Sequence, residues 1–167
     1  MKAVVYKSTG SWYRVKTQNG EFKEARIRGR FKTDEITSTN PVAVGDEVTI
    51  TEDESGDVMI TEIAPRKNYI IRQSPQNKNL QHIIAANLDQ AILMASLKNP
   101  RTSTGFIDRF LVACEAFHVP AVLVFNKTDL HREKDNREFQ RIKKLYESMR
   151  YPVVSTSLKD KSGIELF

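Results

Sequence analysis

The stretch AVLVFNKTDL, residues 121–130, decides how this chain is read. Ala121 to Phe125 are apolar without a break, and Asn126, Lys127, Thr128 and Asp129 follow at once. A short apolar run that opens after Pro120 and ends in polar residues has the length of a strand buried on both faces, as in a parallel sheet covered by helices. An amide, an ammonium and a carboxylate at its carboxyl end stand where open α/β sheets bind their ligands.

The flanking segments supply the other parts of such a sheet. LDQAILMASL, residues 88–97, is an apolar run of strand length. TSTGFIDRFLVACEAFH, residues 102–118, carries Ile107, Phe110, Leu111, Cys114 and Phe117 at amphipathic-helix spacing, with Ser103 or Thr104 as a candidate cap. EKDNREFQRIKKLYESMR, residues 133–150, reads as a second helix with Phe139, Ile142, Tyr146 and Met149 on one side. YPVVST, residues 151–156, is a third strand, and KSGIELF, residues 161–167, begins something helical. The order β-α-β-α-β predicts parallel strands joined by right-handed crossovers.

Residues 1–64 have a different grammar. AVVYK and SWYRVKT flank the Ser8-Thr9-Gly10 turn, and EFKEARIRG follows Asn19-Gly20, a strong hairpin signal. VGDEVTITED and DVMITEI lie on either side of Ser55-Gly56. Five short strands without a helical pattern hide their edges best in a small, nearly closed barrel of the oligonucleotide-binding (OB) type. APRKNYIIRQSPQNKNLQ, residues 64–81, has two prolines and many polar residues and reads as a linker. The expected organisation is a barrel over 1–64, a linker over 65–80 and an α/β region over 81–167.

The 167 residues are 40% hydrophobic and 28% charged, a globular composition. A single cysteine, Cys114, cannot form an internal disulfide, so a reducing compartment is expected. The chain has no apolar run of membrane-spanning length and no signal-peptide core near its start, so a cytoplasmic protein with no membrane partner is expected. The net charge of +5 is modest. Its distribution is uneven: KEARIRGRFK, residues 23–32, holds five basic residues and one acid, either a solvated face or a nucleic-acid footprint.

The polar residues after Phe125 have a chemical reading. A carboxylate at Asp129 can accept two parallel hydrogen bonds from the N–H/NH₂ edge of guanine, an edge that adenine lacks. The Asn126 amide can donate to a ring nitrogen and tie neighbouring loops, and the stem of Lys127 can lie across a flat base. Against adenine, Asp129 would stay unpaired, which is costly in a buried site. Ser155, Thr156 and Ser157 follow the next strand, where short residues let backbone N–H groups approach a base carbonyl; they are equally ordinary strand-to-helix connectors.

Asn126 to Asp129 with Ser155 to Ser157 resemble the guanine-specificity motifs of translation-factor-class GTPases. In most of those proteins a phosphate loop comes first, but no G-x-x-x-x-G-K-S/T precedes Asn126 here: the glycines are at 10, 20, 29, 45, 56, 105 and 163, none followed by Lys and Ser/Thr. The order is similar to that of one family, the circularly permuted, ribosome small subunit-dependent GTPase A. RIRGRFK, PVAVGDEVTI, PRKNYIIRQ, AANLDQ and IDRFLVACEA extend the resemblance over nearly the whole chain. It implies an OB barrel followed by part of a P-loop-type GTPase domain, GTP or GDP with Mg²⁺ as ligand, and the small ribosomal subunit and its rRNA as partner. In the family the phosphate loop, switches and a zinc-binding domain follow. Three scattered histidines and one cysteine suggest no metal site here. The chain thus resembles a truncated form, expected to be monomeric, to lack catalytic residues, to bind nucleotide weakly at best without hydrolysing GTP, and to leave a sheet edge and apolar surface exposed.

In that context Arg26, Arg28, Arg30 and Lys32 are candidates for phosphate contacts, with Arg66, Lys67 and Arg72 extending the track. Trp12, Tyr13 and Phe31 either stack on bases or pack in the barrel core. Two other readings stay open: a non-enzymatic RNA-binding module whose α/β part is an interaction platform, and a small α/β domain for another nucleotide.

Overall fold

A computed structural model describes residues 1–27, 41–73 and 81–166, and the chain divides into two compact units, residues 1–88 and 89–167. The first unit holds β1 (Lys2–Ser8), β2 (Tyr13–Thr17), β3 (Phe22–Ile27), β4 (Glu47–Glu52) and β5 (Val58–Ile63). They close in the order β1-β2-β3-β5-β4, with β4 pairing back onto β1. β3 and β5 run parallel and the other pairs antiparallel, as the expected five-stranded OB-type barrel requires.

Alternation makes the core. Ala3 and Val5 of β1, Tyr13 and Val15 of β2, Ala25 of β3, Val48 and Ile50 of β4, and Val58 and Ile60 of β5 point inward and are buried, joined by Val42. Tyr13 is completely buried, and its hydroxyl donates to the Gly10 carbonyl at 3.2 Å. Of its two expected roles it therefore takes the core one: inward parity on β2 removes its ring from any RNA. Trp12, one residue earlier, points outward and is 42% exposed. Phe31, Arg28, Arg30 and Lys32 lie outside the described residues.

The segment expected to be a linker carries regular structure. β6 (Tyr69–Gln73) pairs antiparallel with β7 (Gln81–Ala86), and the first compact unit runs on to Leu88. Polar tethers hold this hairpin to the barrel. The Ala86 N–H donates to the Val44 carbonyl at 2.8 Å, and Asn87 Nδ2 donates to the Gly45 carbonyl at 2.9 Å. Gly45 adopts φ +88, and a Cβ there would fall 2.0 Å from the Ala86 carbonyl oxygen, so only glycine fits. Asp46, fully buried, accepts from the Ala43 N–H at 2.8 Å and from Arg66 Nε and Nη2 at 2.7 Å each. Arg66 Nη2 also donates to the Pro41 carbonyl at 2.9 Å.

The second unit has β8 (Ala91–Ala95), α1 (Thr104–Ala116), β9 (Ala121–Phe125), α2 (Glu133–Ser148) and β10 (Val153–Ser155). The sheet order is β10-β9-β8, all parallel, with β9 in the middle. Every residue of β9 is buried, as its unbroken apolar sequence predicts. Ser103 caps α1 by accepting the Phe106 N–H at 3.3 Å. Ile107, Leu111 and Cys114 of α1 and Phe139, Ile142 and Tyr146 of α2 are buried. Met149 ends up about half exposed, because α2 stops at Ser148. Tyr146 donates to Asp108 Oδ1 at 2.8 Å, joining α2 to α1. One face of β8 lies open: Ile92 and Met94 are about half exposed. No helix among the described residues is long and apolar enough to cross a membrane.

Candidate functional site

The apolar register of β9 ends at Phe125 and delivers Asn126 to Asp129 at the carboxyl edge of the middle strand. Asn126 N–H donates to the Ala95 carbonyl of β8 at 2.8 Å, so the loop starts anchored to the sheet. Asn126 Oδ1 accepts the Lys127 N–H at 2.7 Å, which leaves the side-chain NH₂ as the outward donor. Lys127 adopts φ +64, a left-handed turn that swings the chain into a short 3-10 turn over Thr128–Leu130. Its ammonium donates to the Asn99 carbonyl, within the loop after β8 that also contains the cis Asn99–Pro100 peptide. The Lys127 stem is thereby held at both ends.

The loop after β10 completes the arrangement. Thr128 donates to the Thr156 carbonyl through Oγ1 at 3.1 Å and through its N–H at 3.3 Å. Ser157 Oγ donates to Asp129 Oδ1 at 2.9 Å. One carboxylate oxygen is thus oriented while the group as a whole stays partly exposed, with lone pairs left for a planar donor edge. Thr156 and Ser157 are buried. The structure changes what these residues contribute. The N–H of Thr156 donates to the Phe125 carbonyl at 2.8 Å and that of Ser157 to the Ser162 carbonyl at 3.0 Å, so neither is free for a base oxygen. The Ser157 hydroxyl, not its backbone, is the group directed at the Asn126–Asp129 loop. Ser155 is the last residue of β10, partly buried, and its carbonyl packs against Gly163. Gly163 has φ +67, and a Cβ there would stand 2.1 Å from that oxygen.

Beside the loop lies an open cavity of about 420 Å³, lined by Ile92, Met94, Val124, Asn126, Thr156, Leu158 and Ile164. It is apolar apart from Asn126 and Thr156 and is continuous with the open face of β8. On the other side, Lys98 pairs with Asp135, and the Asp135 carboxylate also accepts the Arg132 N–H at 2.8 Å. The Lys98 ammonium first, and that backbone bond second, hold the Asp135 carboxyl below the ordinary range. Sequence reasoning missed the loop from Ser96 to Thr102. Nothing in the residues between strand and helix signalled that Lys98 would meet Asp135 of α2 or that the Asn99 carbonyl would meet Lys127.

The candidate RNA residues are dispersed in their environments. Arg26 is exposed on β3 with its guanidinium carbon 3.9 Å from the Trp12 ring centroid. Lys67 and Arg72 are exposed. Arg66 is engaged by Asp46 and Pro41, and its side chain is only 13% exposed.

Family comparisons agree with the motif and the fold together. The family model described as RsgA GTPase matches residues 63–167, and that described as RsgA N-terminal domain matches residues 2–60. The chain belongs to the RsgA GTPase family. Among curated RsgA relatives, the small ribosomal subunit biogenesis GTPase RsgA of Cytophaga hutchinsonii is 48% identical over 167 residues, covering 99% of this chain and 54% of the relative. Small ribosomal subunit biogenesis GTPase RsgA 2 of Bacteroides thetaiotaomicron is 48% identical over 165 residues, covering 99% and 53%. The crystal structure of YjeQ from Thermotoga maritima superposes with TM-score 0.76 at 33% identity, covering 98% of this chain and 54% of that one. YloQ, described as a circularly permuted GTPase, gives 0.69 at 29% identity, covering 95% and 52%. This RsgA-family chain therefore spans about half the length of the curated relatives it matches.

Proposed function

We propose that the chain is the barrel and the guanine-reading part of a small-subunit biogenesis GTPase that converts GTP to GDP and phosphate late in the maturation of the small ribosomal subunit. The observation that carries this reading is the Asn126–Asp129 loop at the end of β9, with Ser157 Oγ donating to Asp129. In the proposal Asp129 accepts the N–H/NH₂ edge of guanine, Asn126 donates to a ring nitrogen, and the anchored stem of Lys127 covers the base. Thr128 and the residues from Ser155 to Ser157 hold the two loops together. The barrel docks on rRNA through Arg26, Arg28, Arg30 and Lys32, with Lys67 and Arg72 beside them. Arg66, with its guanidinium engaged, contributes by shaping that surface. The protein acts as a monomer in the cytoplasm.

The nucleotide's phosphates come with Mg²⁺, and the family resemblance adds Zn²⁺ in a later domain. Among the described residues no group of three or more His, Cys, Asp and Glu gathers; structural zinc needs such a group, whereas Mg²⁺ rides on the nucleotide's phosphates with only one or two protein oxygens. The 167 residues contain no G-x-x-x-x-G-K-S/T. Positioning and charge stabilisation at the γ-phosphate supply most phosphoryl-transfer catalysis. We expect this chain alone to recognise the base weakly and not to turn GTP over.

A competition titration with GDP and ADP, read beside a phosphate-release assay, tests both parts. Loss of a hydrogen bond to a charged group costs about 1.5–3 kcal/mol, so GDP is expected to compete roughly ten- to a hundredfold better than ADP, with no phosphate release above buffer. Equal competition would refute the base reading. Turnover by the chain alone would refute the division of labour.

A further inference from the structure

The loop between β8 and α1, residues 96–103, is closed on itself. Ser96 N–H donates to Thr102 Oγ1 at 3.1 Å, Thr102 N–H donates to the Ser96 carbonyl at 2.7 Å, and Ser96 Oγ donates to the Lys98 carbonyl. Asn99 adopts φ +48, and its carbonyl accepts the Lys127 ammonium. Two cations of the loop reach α2. Lys98 pairs with Asp135, whose side chain is only 15% exposed, whereas Arg101 pairs with Glu138 while 66% exposed. Asp135 Oδ2 accepts the Lys98 ammonium and, at 2.8 Å, the Arg132 N–H. Arg132 follows closely on the 3-10 turn that carries Asp129. The contacts therefore close a ring: Lys127 to the Asn99 carbonyl, Lys98 to Asp135, Asp135 to the Arg132 N–H, and back along the chain through Asp129 to Lys127. The His131 side chain lies in that stretch and adds no hydrogen bond to it. Its ring nitrogens are buried without a hydrogen-bond partner among the described residues, and its ring leans on Phe139 with centroids 5.9 Å apart.

A lysine–carboxylate pair near the surface adds little stability. The packing of this unit rests instead on buried side chains such as Ile107, Leu111, Phe139 and Ile142. The effect of Lys98 and Asp135 is local. A lysine stem is long and flexible, and holding it in one place before the ligand arrives removes an ordering cost from binding. The Asn99 carbonyl can hold the Lys127 ammonium only while its own loop stays against α2. We propose that Lys98 and Asp135 are a positioning pair for the base site: they keep the Asn99 carbonyl on the Lys127 ammonium, and so fix the Lys127 stem where it covers the base of a guanine nucleotide. The proposal rests on the reading of Asn126–Asp129 as the guanine loop. It adds two residues outside that loop, which act through Lys127 rather than on the nucleotide.

The test is a ligand-observed NMR titration of the 167-residue chain with GDP and ADP. Lys98→Met and Asp135→Ala are each expected to weaken GDP binding about three- to tenfold. The two changes alter the local charge in opposite directions. Coulomb attraction alone would make the loss of a carboxylate tighten the binding of an anion, so weakening by both variants reports position and not charge. Arg101→Met removes a cation from the same loop and is expected to stay within about twofold of the parent. Lys127→Met keeps a stem but has no ammonium for Asn99. It is expected to lose about as much as Lys98→Met, and the double variant is expected to lose no more than either alone. Thermal melts identify the folded variants, and Lys98→Met decides the matter if Asp135→Ala does not fold. The positioning role is overturned by parent-like GDP binding in Lys98→Met, tighter binding in Asp135→Ala, an equal loss in Arg101→Met, or losses that multiply in the double variant. In each of those cases a parent that still prefers GDP over ADP keeps the guanine reading. A parent without that preference loses the guanine reading, and the positioning role with it.

Discussion

In the barrel β4 returns to β1, so no edge is left, and the inward side chains of β1–β5 are buried together. In the α/β unit β9 is flanked by β8 and β10, while Ile92 and Met94 of β8, Leu158 and Ile164 stay substantially exposed around an open cavity. Both units obey the same alternation rules, yet only one completes its burial. Closure leaves the barrel's outer surface available for charge and rings. The α/β unit instead concentrates its polar chemistry where β9 and β10 end, beside its exposed apolar face.

The strongest test of that contrast breaks the buried pair that ties 41–46 to the segment after β5. Arg66→Ala leaves the Asp46 carboxylate buried without its partner and is expected to cost about 3–5 kcal/mol in the first unit. Trp12, the only tryptophan, lies in that unit and reports its denaturant unfolding. A variant as stable as the parent would mean that Arg66 is free for RNA after all.

Core truncation separates the two units next. Ile60→Ala in the closed barrel is expected to cost about 2–5 kcal/mol, whereas Ile92→Ala on the open face of β8 is expected to stay within about 0.5 kcal/mol. A large cost at Ile92, read by amide exchange in the second unit, would show that its face is covered in solution.

In each unit one glycine sits where an added Cβ would fall 2.0 Å (Gly45) or 2.1 Å (Gly163) from a backbone carbonyl oxygen. Gly45→Ala and Gly163→Ala each force a Cβ against an oxygen at positive φ and are expected to cost about 1–3 kcal/mol locally. Gly45→Ala should appear in Trp12 unfolding. Gly163→Ala should instead weaken guanine binding, because Ser155 and the loop to Ser157 must shift. The reverse pattern would mean that the loop after β10 does not shape the site.

The smallest effect is at Tyr146. Burial, and then its hydrogen bond to Asp108, raise the phenol's pKa well above its ordinary value. A raised folded pKa stabilises below the unfolded value, about 10, and that contribution is lost as pH climbs beyond it. Tyr146→Phe is expected to cost about 1 kcal/mol at neutral pH and to flatten the alkaline loss of stability. An unchanged alkaline profile would point to another titrating group.

Much of this was legible because single local rules acted alone. Asn19-Gly20 and Ser55-Gly56 mark turns, β9 announces its double burial by an unbroken apolar run, and Ile107, Leu111 and Cys114 fall at helical spacing. The loop proposed to read the base stood out because its four polar residues, Asn126 to Asp129, are contiguous. What failed to show depended on long-range partners. Tyr69 to Gln73 looked like a linker because its ladder partner, Gln81 to Ala86, lies beyond a proline-containing polar stretch. Arg66 looked like part of a basic track because its partner, Asp46, sits 20 residues away in the sequence. Tyr13 and Trp12 are adjacent aromatics with opposite fates, decided by strand parity at a turn whose exact register the sequence leaves open.

The central claim is that Asp129, oriented by Ser157, reads guanine. Ligand-observed NMR tolerates weak binding and can follow GDP and xanthosine diphosphate against the parent chain and Asp129→Asn. Xanthine carries a carbonyl where guanine has its NH₂, so an amide in place of the carboxylate supplies the donor that xanthine needs. The account predicts that the parent favours GDP and that Asp129→Asn shifts the preference to xanthosine diphosphate by about tenfold or more. Undiminished GDP binding by Asp129→Asn, with no gain for xanthosine diphosphate, would contradict it.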